Sequence, residues 1–197
     1  AAQISASRAY PCMRTATRQN KKIYNTGTGE KMALRNILTQ EQPALYKKSR
    51  PVTDFNDRLA QLLDDMRETL MQANGVGLAA PQVGVLRRAV IVLETNVPEG
   101  EDEYIIELIN PEIIETSGEQ RGAEGCLSVP GEYGLVQRPS HVRVRAQDRN
   151  GNWFEVEGEG LTARCFCHEI DHLEGILFTS KCERMLTEEE LENGVID

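Results

Sequence analysis

The chain has 197 residues, of which 40% are hydrophobic and 27% are charged, and its formal net charge is −9. This balance is typical of a soluble globular protein rather than a disordered or membrane protein, and no apolar run approaches the ~20 residues that span a bilayer. Residues 1–31 carry six basic residues and one acid, whereas residues 32–197 carry 16 basic and 30 acidic residues. The excess of acidic residues in 32–197 argues against direct nucleic-acid binding, because that binding depends on Lys and Arg neutralising phosphates.

Residues 1–31 differ in composition from the rest of the chain. They contain no hydrophobic segment of the kind found in secretory signals, and Met32 directly after them would serve as a natural start. Three interpretations compete: a leftover of expression or translation, which we favour, an organellar transit segment, and a genuine extension. We therefore predict a disordered or non-native extension at 1–31, a catalytic domain at 32–182 and a short acidic tail at 183–197.

The cysteine content indicates the compartment. There are five cysteines, an odd number without the regular spacing of a disulfide framework. A reducing environment fits this pattern better than an oxidising one. We therefore expect a cytoplasmic location, or an organellar one if residues 1–31 are a transit segment.

The predicted elements begin with a helix at about 54–72, where apolar residues recur at three- and four-residue spacings and Thr53 or Asp54 can cap the start. A glycine-rich loop follows at 73–85. The next regular segments are strand candidates at 89–93, 104–110, 141–148 and 153–157. A second helix is predicted at about 161–174, closed by Gly175. Because the strands cluster between two helices, the predicted class is α+β.

The stretch HEIDH at 168–172, inside the second helix, carries the strongest chemical signal. Residues four apart lie on one helix face, so His168 and His172 can both point at one metal ion. Glu169 is one position off that face and can reach a metal-bound water without binding the metal, as a general base requires. Neutral imidazoles suit Zn(II) and Fe(II).

A catalytic metal site of this kind usually has a third protein ligand. Cys165 lies on the same helix face, yet three ligands spread over two turns of one helix cannot easily converge on one ion. Packing under the site is therefore the better interpretation of Cys165. Cys126, which follows Gly125, could be a thiolate ligand or a small buried core residue, and the residues alone leave both interpretations equally open.

Three motifs in this order closely resemble those of the peptide deformylases: GVGLAAPQ at 75–82, EGCLSVP at 124–130 and HEIDHLEG at 168–175. The likeness extends from Met32 to about Lys181. It implies a compact fold of small mixed or antiparallel sheets packed around the metal-bearing helix. It also implies a metal-dependent hydrolase that acts in protein biosynthesis, removing the N-formyl group from the N-terminal methionine of newly made polypeptides and releasing formate.

The resemblance, carried over position by position, assigns the roles in the site. The implied metal ligands are Cys126, His168 and His172. They would hold one divalent ion, natively Fe(II), with Zn(II), Ni(II) or Co(II) as alternatives. Glu169 becomes the general base, while Gln82 supplies its side-chain amide and Leu127 its backbone N–H to the oxyanion.

Further implied roles concern the substrate and the support of the metal. Gly77 would let the backbone lie against the substrate peptide, and the plausible walls of an apolar methionine pocket are Val76, Leu161 and Cys165. Glu124 resembles a family position that pairs with an arginine, here Arg138, and the pair would fix the loop that carries Cys126.

The chain also departs from the family at two positions. Tyr133 stands where some members have an arginine thought to contact the substrate backbone. Arg164 stands where some members have an aliphatic pocket residue, and its stem could cover apolar surface with the charge outside, or it could narrow the side-chain preference. The expected partners are N-formylmethionyl peptides and, transiently, the ribosome, and we expect a monomer.

Two rival functions fit parts of the sequence. One is a zinc peptidase built on the HExxH pattern, with Glu188 or Glu189 as the third ligand, and such a peptidase would not need Cys126. The other is a catalytically inactive relative that only binds. Glu169 and Gln82 argue against an inactive relative, because it would need neither side chain.

Overall fold

The computed structural model describes residues 33–98 and 100–194. The extension predicted at 1–31 and the last residues of the tail therefore lie outside the described residues. The helices are α1 (Asp57–Gln72), α2 (Gly160–Leu173) and α3 (Glu188–Asn193). The strands are β1 (Gly77–Ala79), β2 (Ala89–Glu94), β3 (Tyr104–Ser117), β4 (Gln120–Cys126), β5 (Val129–Arg138), β6 (His141–Gln147), β7 (Trp153–Glu159) and β8 (Arg184–Met185).

The strands form two separate sheets, in which all neighbouring strands are antiparallel. The larger sheet has the order β1-β2-β3-β6-β7, and the smaller sheet has the order β4-β5-β8. The two main helices pack against opposite faces of the larger sheet, because alternate residues of β2 point to opposite sides: Val90 and Val92 contact the core under α2, while Ala89 and Ile91 contact the core under α1. The predicted α+β class is confirmed.

Helix α1 begins later than the sequence predicts. The prediction placed its start at about residue 54 with Thr53 or Asp54 as the cap, and this was wrong. Asn56 caps the helix instead, because its backbone is extended and its side-chain oxygen accepts hydrogen bonds from the N–H groups of Arg58 and Leu59. The apolar positions that predicted the helix are buried, and they include Leu59, Leu62, Leu63, Met66 and Leu70.

Helix α2 lies where the sequence predicts it, and most of its residues are buried. Gly175, with a φ of +75°, ends it by donating its N–H to the carbonyl of His172. A side chain at this glycine would also meet the backbone of Tyr46 at 2.6 Å. The position of the helix is thus fixed by the packing of its buried residues and, at its C-terminus, by the close approach of Gly175 to the backbone of Tyr46.

The smaller sheet was not predicted. The segment around Cys126 was interpreted as a loop, whereas the structure places Cys126 at the end of β4, in a hairpin with β5. The reason is composition: β4 and β5 contain Gly122, Gly125 and Gly134, and glycine weakens the strand signal. Gly125 is needed there, because an added Cβ would lie 2.6 Å from the ring of Tyr133 on the partner strand. Likewise the glycine-rich loop at 73–85 contains β1.

None of the helices in the described part of the chain is long and apolar enough to cross a membrane. The acidic stretch near the C-terminus forms the short helix α3, which Thr187 caps through its side-chain oxygen and which has no buried residue. This helix therefore lies on the surface, away from the core.

Candidate metal centre

One sulfur and two imidazole nitrogens converge between the two sheets. The Cys126 Sγ lies 3.2 Å from the His172 Nε2, which lies 3.2 Å from the His168 Nε2. All three donor atoms lie within 4.8 Å of one another, and all three residues are buried. The structure thus brings together the two histidines of α2 and the cysteine of β4, about forty residues apart in the sequence.

The donor set and its spacing fit a divalent cation. Three ligands of a tetrahedral ion, with metal–nitrogen bonds near 2.0 Å and metal–sulfur bonds near 2.3 Å, lie roughly 3.3–3.6 Å apart. The Nε2 atoms of His168 and His172 lie 3.2 Å apart, close enough for one ion to bind both. In addition, the His168 Nδ1 lies 2.7 Å from a Glu124 carboxylate oxygen, which favours the proton on Nδ1 and leaves the Nε2 lone pair facing the group.

The charges around the donor atoms favour a cation. Burial acts to lower the pKa of His168, but the neighbouring Cys126 and the Glu124 carboxylate outweigh it and raise this pKa well above the ordinary value. Burial and the neighbouring His168 lower the pKa of His172 well below its ordinary value. The surroundings of His168 therefore favour a positive charge at this group, and the low pKa of His172 keeps its imidazole neutral, as a metal ligand must be.

Glu169 lies beside this group as a buried carboxylic acid. Burial raises its pKa to about 7, because the charged form is poorly solvated there. Its Oε2 has no hydrogen-bond partner among the described residues. Its Oε1 faces β1, where a Cβ added to Gly77 would overlap it. The backbone of β1 thus comes close to Glu169 because residue 77 has no side chain.

Gln82 is buried on the other side of the group. Its Oε1 accepts a hydrogen bond from the Ala79 N–H at 2.8 Å, so its Nε2 points away from β1. That Nε2 lies 3.1 Å from the Ser128 Oγ and 3.5 Å from the Cys126 Sγ. The Ser128 N–H also points at Cys126 Sγ, at 3.4 Å. Ser128 was not among the predicted site residues, although its position two residues after Cys126 was a signal for it.

The predicted pair of Glu124 and Arg138 is part of a larger buried network. Arg138 donates to both carboxylate oxygens of Glu124, at 2.6 and 3.1 Å, and to Asp171 at 2.6 Å. Burial acts to raise the pKa of Glu124, but His168 and Arg138 outweigh it and hold the pKa far below the ordinary value. The carboxylate that contacts His168 therefore stays charged.

Arg164 joins the same network, so of its two interpretations the one that placed its charge outside does not hold. Its guanidinium is buried and donates to Glu124 at 3.0 Å and to the Val136 carbonyl at 3.1 Å. That interpretation was wrong because Glu124 offers a buried anionic partner, and a buried charge is tolerated where it is paired; the other interpretation, a narrower side-chain preference, stays a prediction. This partner lies forty residues away in the sequence, so no local pattern indicated it.

The predicted pocket residues fall into the apolar cluster under α2. Val76 and Cys165 are buried in it, and Leu161 packs against it half-buried. Burial raises the pKa of the Cys165 thiol, which agrees with a packing residue rather than a thiolate ligand. Leu127 packs against the other cluster, under α1. Glu188 and Glu189, the ligands expected for a peptidase, lie in the exposed helix α3.

The family model described as "Polypeptide deformylase" matches residues 34–188 of the chain. A peptide deformylase of Caldicellulosiruptor bescii is 56% identical over 161 residues, which cover 82% of this chain and 93% of that protein. A crystal structure of a peptide deformylase from Legionella pneumophila has a TM-score of 0.69 and 42% identity, covering 82% of this chain and 90% of that one. A Met-Ala-Ser-bound crystal structure of a class I type b peptide deformylase from Acinetobacter baumannii has a TM-score of 0.70 and 36% identity, covering 77% and 99%.

Proposed function

The chain belongs to the polypeptide deformylase family, and we propose that it removes the formyl group from N-formylmethionyl peptides at the group formed by Cys126, His168 and His172. The observation that carries this proposal is the convergence of these three donor atoms, beside the buried carboxyl of Glu169. A divalent ion bound there would act as a Lewis acid on the formyl oxygen and lower the pKa of a bound water. Proton transfer and stabilisation of the oxyanion are the work of side-chain and backbone groups of the chain itself.

Glu169 is the general base of the reaction. Its Oε2, which has no partner among the described residues, is available to accept a proton from the water that attacks the formyl carbon. A pKa near neutrality suits a group that must both accept and release a proton. As the carbon–nitrogen bond breaks, Glu169 returns the proton to the departing amine, and the products are formate and a free methionine N-terminus.

Gln82 and Leu127 stabilise the oxyanion that forms when water adds to the formyl carbon. The Gln82 side chain is held by Ala79 at its oxygen end, which directs its amide Nε2 to the Ser128 Oγ at 3.1 Å and the Cys126 Sγ at 3.5 Å, and an oxyanion formed beside Cys126 would take over one of these two N–H groups. The Leu127 backbone N–H follows directly after the cysteine. Such preorganised donors are each typically worth 10²–10³ in kcat.

The methionine side chain would enter the apolar region bordered by Val76, Leu161 and Cys165, which belong to or pack against one cluster. Gly77 lies in β1, the edge strand of the larger sheet, which is where an extended peptide would add by pairing with the backbone. The Met-Ala-Ser peptide bound in the Acinetobacter baumannii structure is consistent with a peptide substrate that begins with methionine.

For the ion itself we propose Fe(II), with Zn(II), Ni(II) or Co(II) able to replace it. Two neutral imidazoles and one thiolate form a donor set that suits these late first-row metals rather than Mg(II) or Ca(II). Glu124 would support the ion indirectly, because it fixes the proton of His168 on Nδ1.

The test is the release of formate from formyl-Met-Ala-Ser after anaerobic purification, with metal content measured in parallel. Glu169→Gln should keep about one ion per chain and lose at least 10³-fold in kcat, because the amide cannot accept the proton. Glu189→Gln, which changes an exposed residue, is the matched control and should keep full activity. Wild-type protein that binds metal but releases no formate would contradict the proposal.

A further inference from the structure

Residues 35–40, which we term the N-terminal strap, run from α1 to the metal centre. At its beginning, the Arg35 backbone N–H donates to the Thr69 hydroxyl at 3.0 Å, and the Arg35 side chain donates to Asp65 at 2.8 and 3.0 Å. Ile37 then packs against the cluster under α1, and Leu38 packs against the cluster that contains Cys126. The strap is thus fastened to the rigid helix α1 before it reaches the site.

The strap then makes two backbone hydrogen bonds to two different parts of the site. The Leu38 N–H donates to the carbonyl of Gln82 at 2.7 Å. Two residues later, the Gln40 N–H donates to the carbonyl of Ser128 at 2.8 Å. The Gln40 side chain adds a hydrogen bond to Glu132, which belongs to the strand β5 that follows.

These two carbonyls belong to the segments that carry the oxyanion donors. Gln82 supplies one donor through its side chain, and Ser128 follows directly after Leu127, which supplies the other. Ser128 makes two further hydrogen bonds on the side of the site. Its hydroxyl accepts one from the Gln82 Nε2, and its backbone N–H donates the other to the Cys126 Sγ. Each donor segment is therefore held from the strap on one side and from the metal ligands on the other.

We propose that the strap is a positioning device, in which the N–H groups of Leu38 and Gln40 fix the separation of the Gln82 and Leu127 donors. This inference rests on the proposed function, since it needs both donors to act on the oxyanion. Because the oxyanion exists only after water has added, a misplaced donor lowers kcat and leaves substrate binding nearly unchanged. A shift of about 1 Å in a reacting geometry can cost on the order of 10²-fold.

Gln40→Pro tests the strap, because proline has no N–H to give to Ser128. We expect kcat for formyl-Met-Ala-Ser to fall about tenfold, with less than twofold change in KM and one ion still bound per chain. Gln40→Ala keeps the N–H and loses only the side-chain bond to Glu132. Thr39→Pro places the same ring one position earlier, at an N–H that donates no hydrogen bond within the described chain. Both controls should keep kcat within twofold of wild type.

Leu38→Pro removes the other strap hydrogen bond and should produce the same selective loss of kcat, which keeps the test valid if one proline variant does not fold. A double-mutant cycle with Gln82→Leu separates positioning from general damage. In that background one of the positioned donors is already missing, so Gln40→Pro should cost at most threefold instead of tenfold.

Three results would overturn the positioning role: an unchanged kcat in folded Gln40→Pro and Leu38→Pro, an equal loss in Thr39→Pro, or the same tenfold cost with and without Gln82. Each of these requires an active wild-type enzyme and therefore leaves the proposed function intact. Absence of formate release from the wild type, by contrast, would overturn the proposed function and the strap together.

Discussion

At the scale of single residues, Gly77 is the point at which the backbone of β1 meets the carboxyl of Glu169, the proposed general base. The resemblance to deformylases assigned this glycine to contact with the substrate peptide. The structure adds a second reason for it, because a Cβ at this position would overlap the Glu169 Oε1 and lie 2.8 Å from its Cδ. Residue 77 must therefore be glycine for Glu169 to keep its position.

Gly77→Ala should displace Glu169 and lower kcat at least 10²-fold, since the carboxylate proposed as the base would no longer keep its place beside the group of Cys126, His168 and His172. Metal content should stay near one ion per chain, because none of the three donor residues is changed. Gly100→Ala in the exposed loop before β3 is the control: nothing lies within 4 Å of its added Cβ, and the strain of its positive φ falls in a loop that contributes no residue to the site, so activity should stay within twofold. The measurements are steady-state formate release and metal content of both variants. Full activity of Gly77→Ala would show that a Cβ at residue 77 does not displace Glu169.

The residues of the site differ in how far the sequence could predict them. His168, Glu169 and His172 follow from one short helical pattern, because their geometry is local. Cys126 did not follow from the residues alone and came from the resemblance. The burial of Arg164 could not be predicted by either route, since it depends on a contact with Glu124 across two elements.

At the scale of elements, both main helices were predictable because their apolar periodicity is a property of consecutive residues. The hairpin of β4 and β5 was not predicted, and its decisive feature is an irregularity. The pairing register shifts between Gly125, which faces Tyr133, and Cys126, which faces Val129. Such a bulge can re-aim a side chain, and nothing in the composition of the segment indicates where the register shifts.

Arg138 connects three elements, because it reaches from β5 to Glu124 on β4 and to Asp171 on α2. Arg138→Ala would remove two hydrogen bonds from Glu124 and one from Asp171, which keep Arg164 and Lys181 as partners, and breaking a buried pair typically costs about 3–5 kcal/mol of unfolding free energy. We expect a loss in that range in urea unfolding, together with faster loss of the ion to a chelator. Both effects follow because Glu124 also holds His168.

The matched control for this network is Arg143→Ala. Arg143 also pairs with several acids, including Glu115 and Glu157, but these are more than half exposed. Exposed ion pairs typically contribute less than about 1 kcal/mol, so this variant should unfold near the wild-type midpoint and keep its metal. Equal effects of the two substitutions would show that burial of the Glu124 network does not matter.

At the scale of the whole molecule, the group of Cys126, His168 and His172 lies between two halves that have separate cores. The larger sheet is covered by α1 on one face and α2 on the other. The smaller sheet packs its own cluster, which includes Cys126, Val129 and Val136 together with Phe178. His168 and His172 belong to α2, on the larger sheet, whereas Cys126 belongs to the smaller sheet. An ion at this group would therefore cross-link the two sheets as well as serve the reaction.

Removal of the ion should consequently lower the stability of the whole molecule and loosen the smaller sheet most. At a free ion concentration of about 100 times Kd, binding to the folded state contributes about 2.7 kcal/mol. For a chain of this size that corresponds to a Tm lower by roughly 5–10 °C in chelator. Amide hydrogen exchange should accelerate more in β4 and β5 than in β2 and β3, because β4 loses its link to α2.

Cys126→Ser, which lacks the thiolate, should already have the lower Tm and respond little to chelator. A chelator effect of equal size in this variant, or equal acceleration in both sheets, would contradict a cross-linking role.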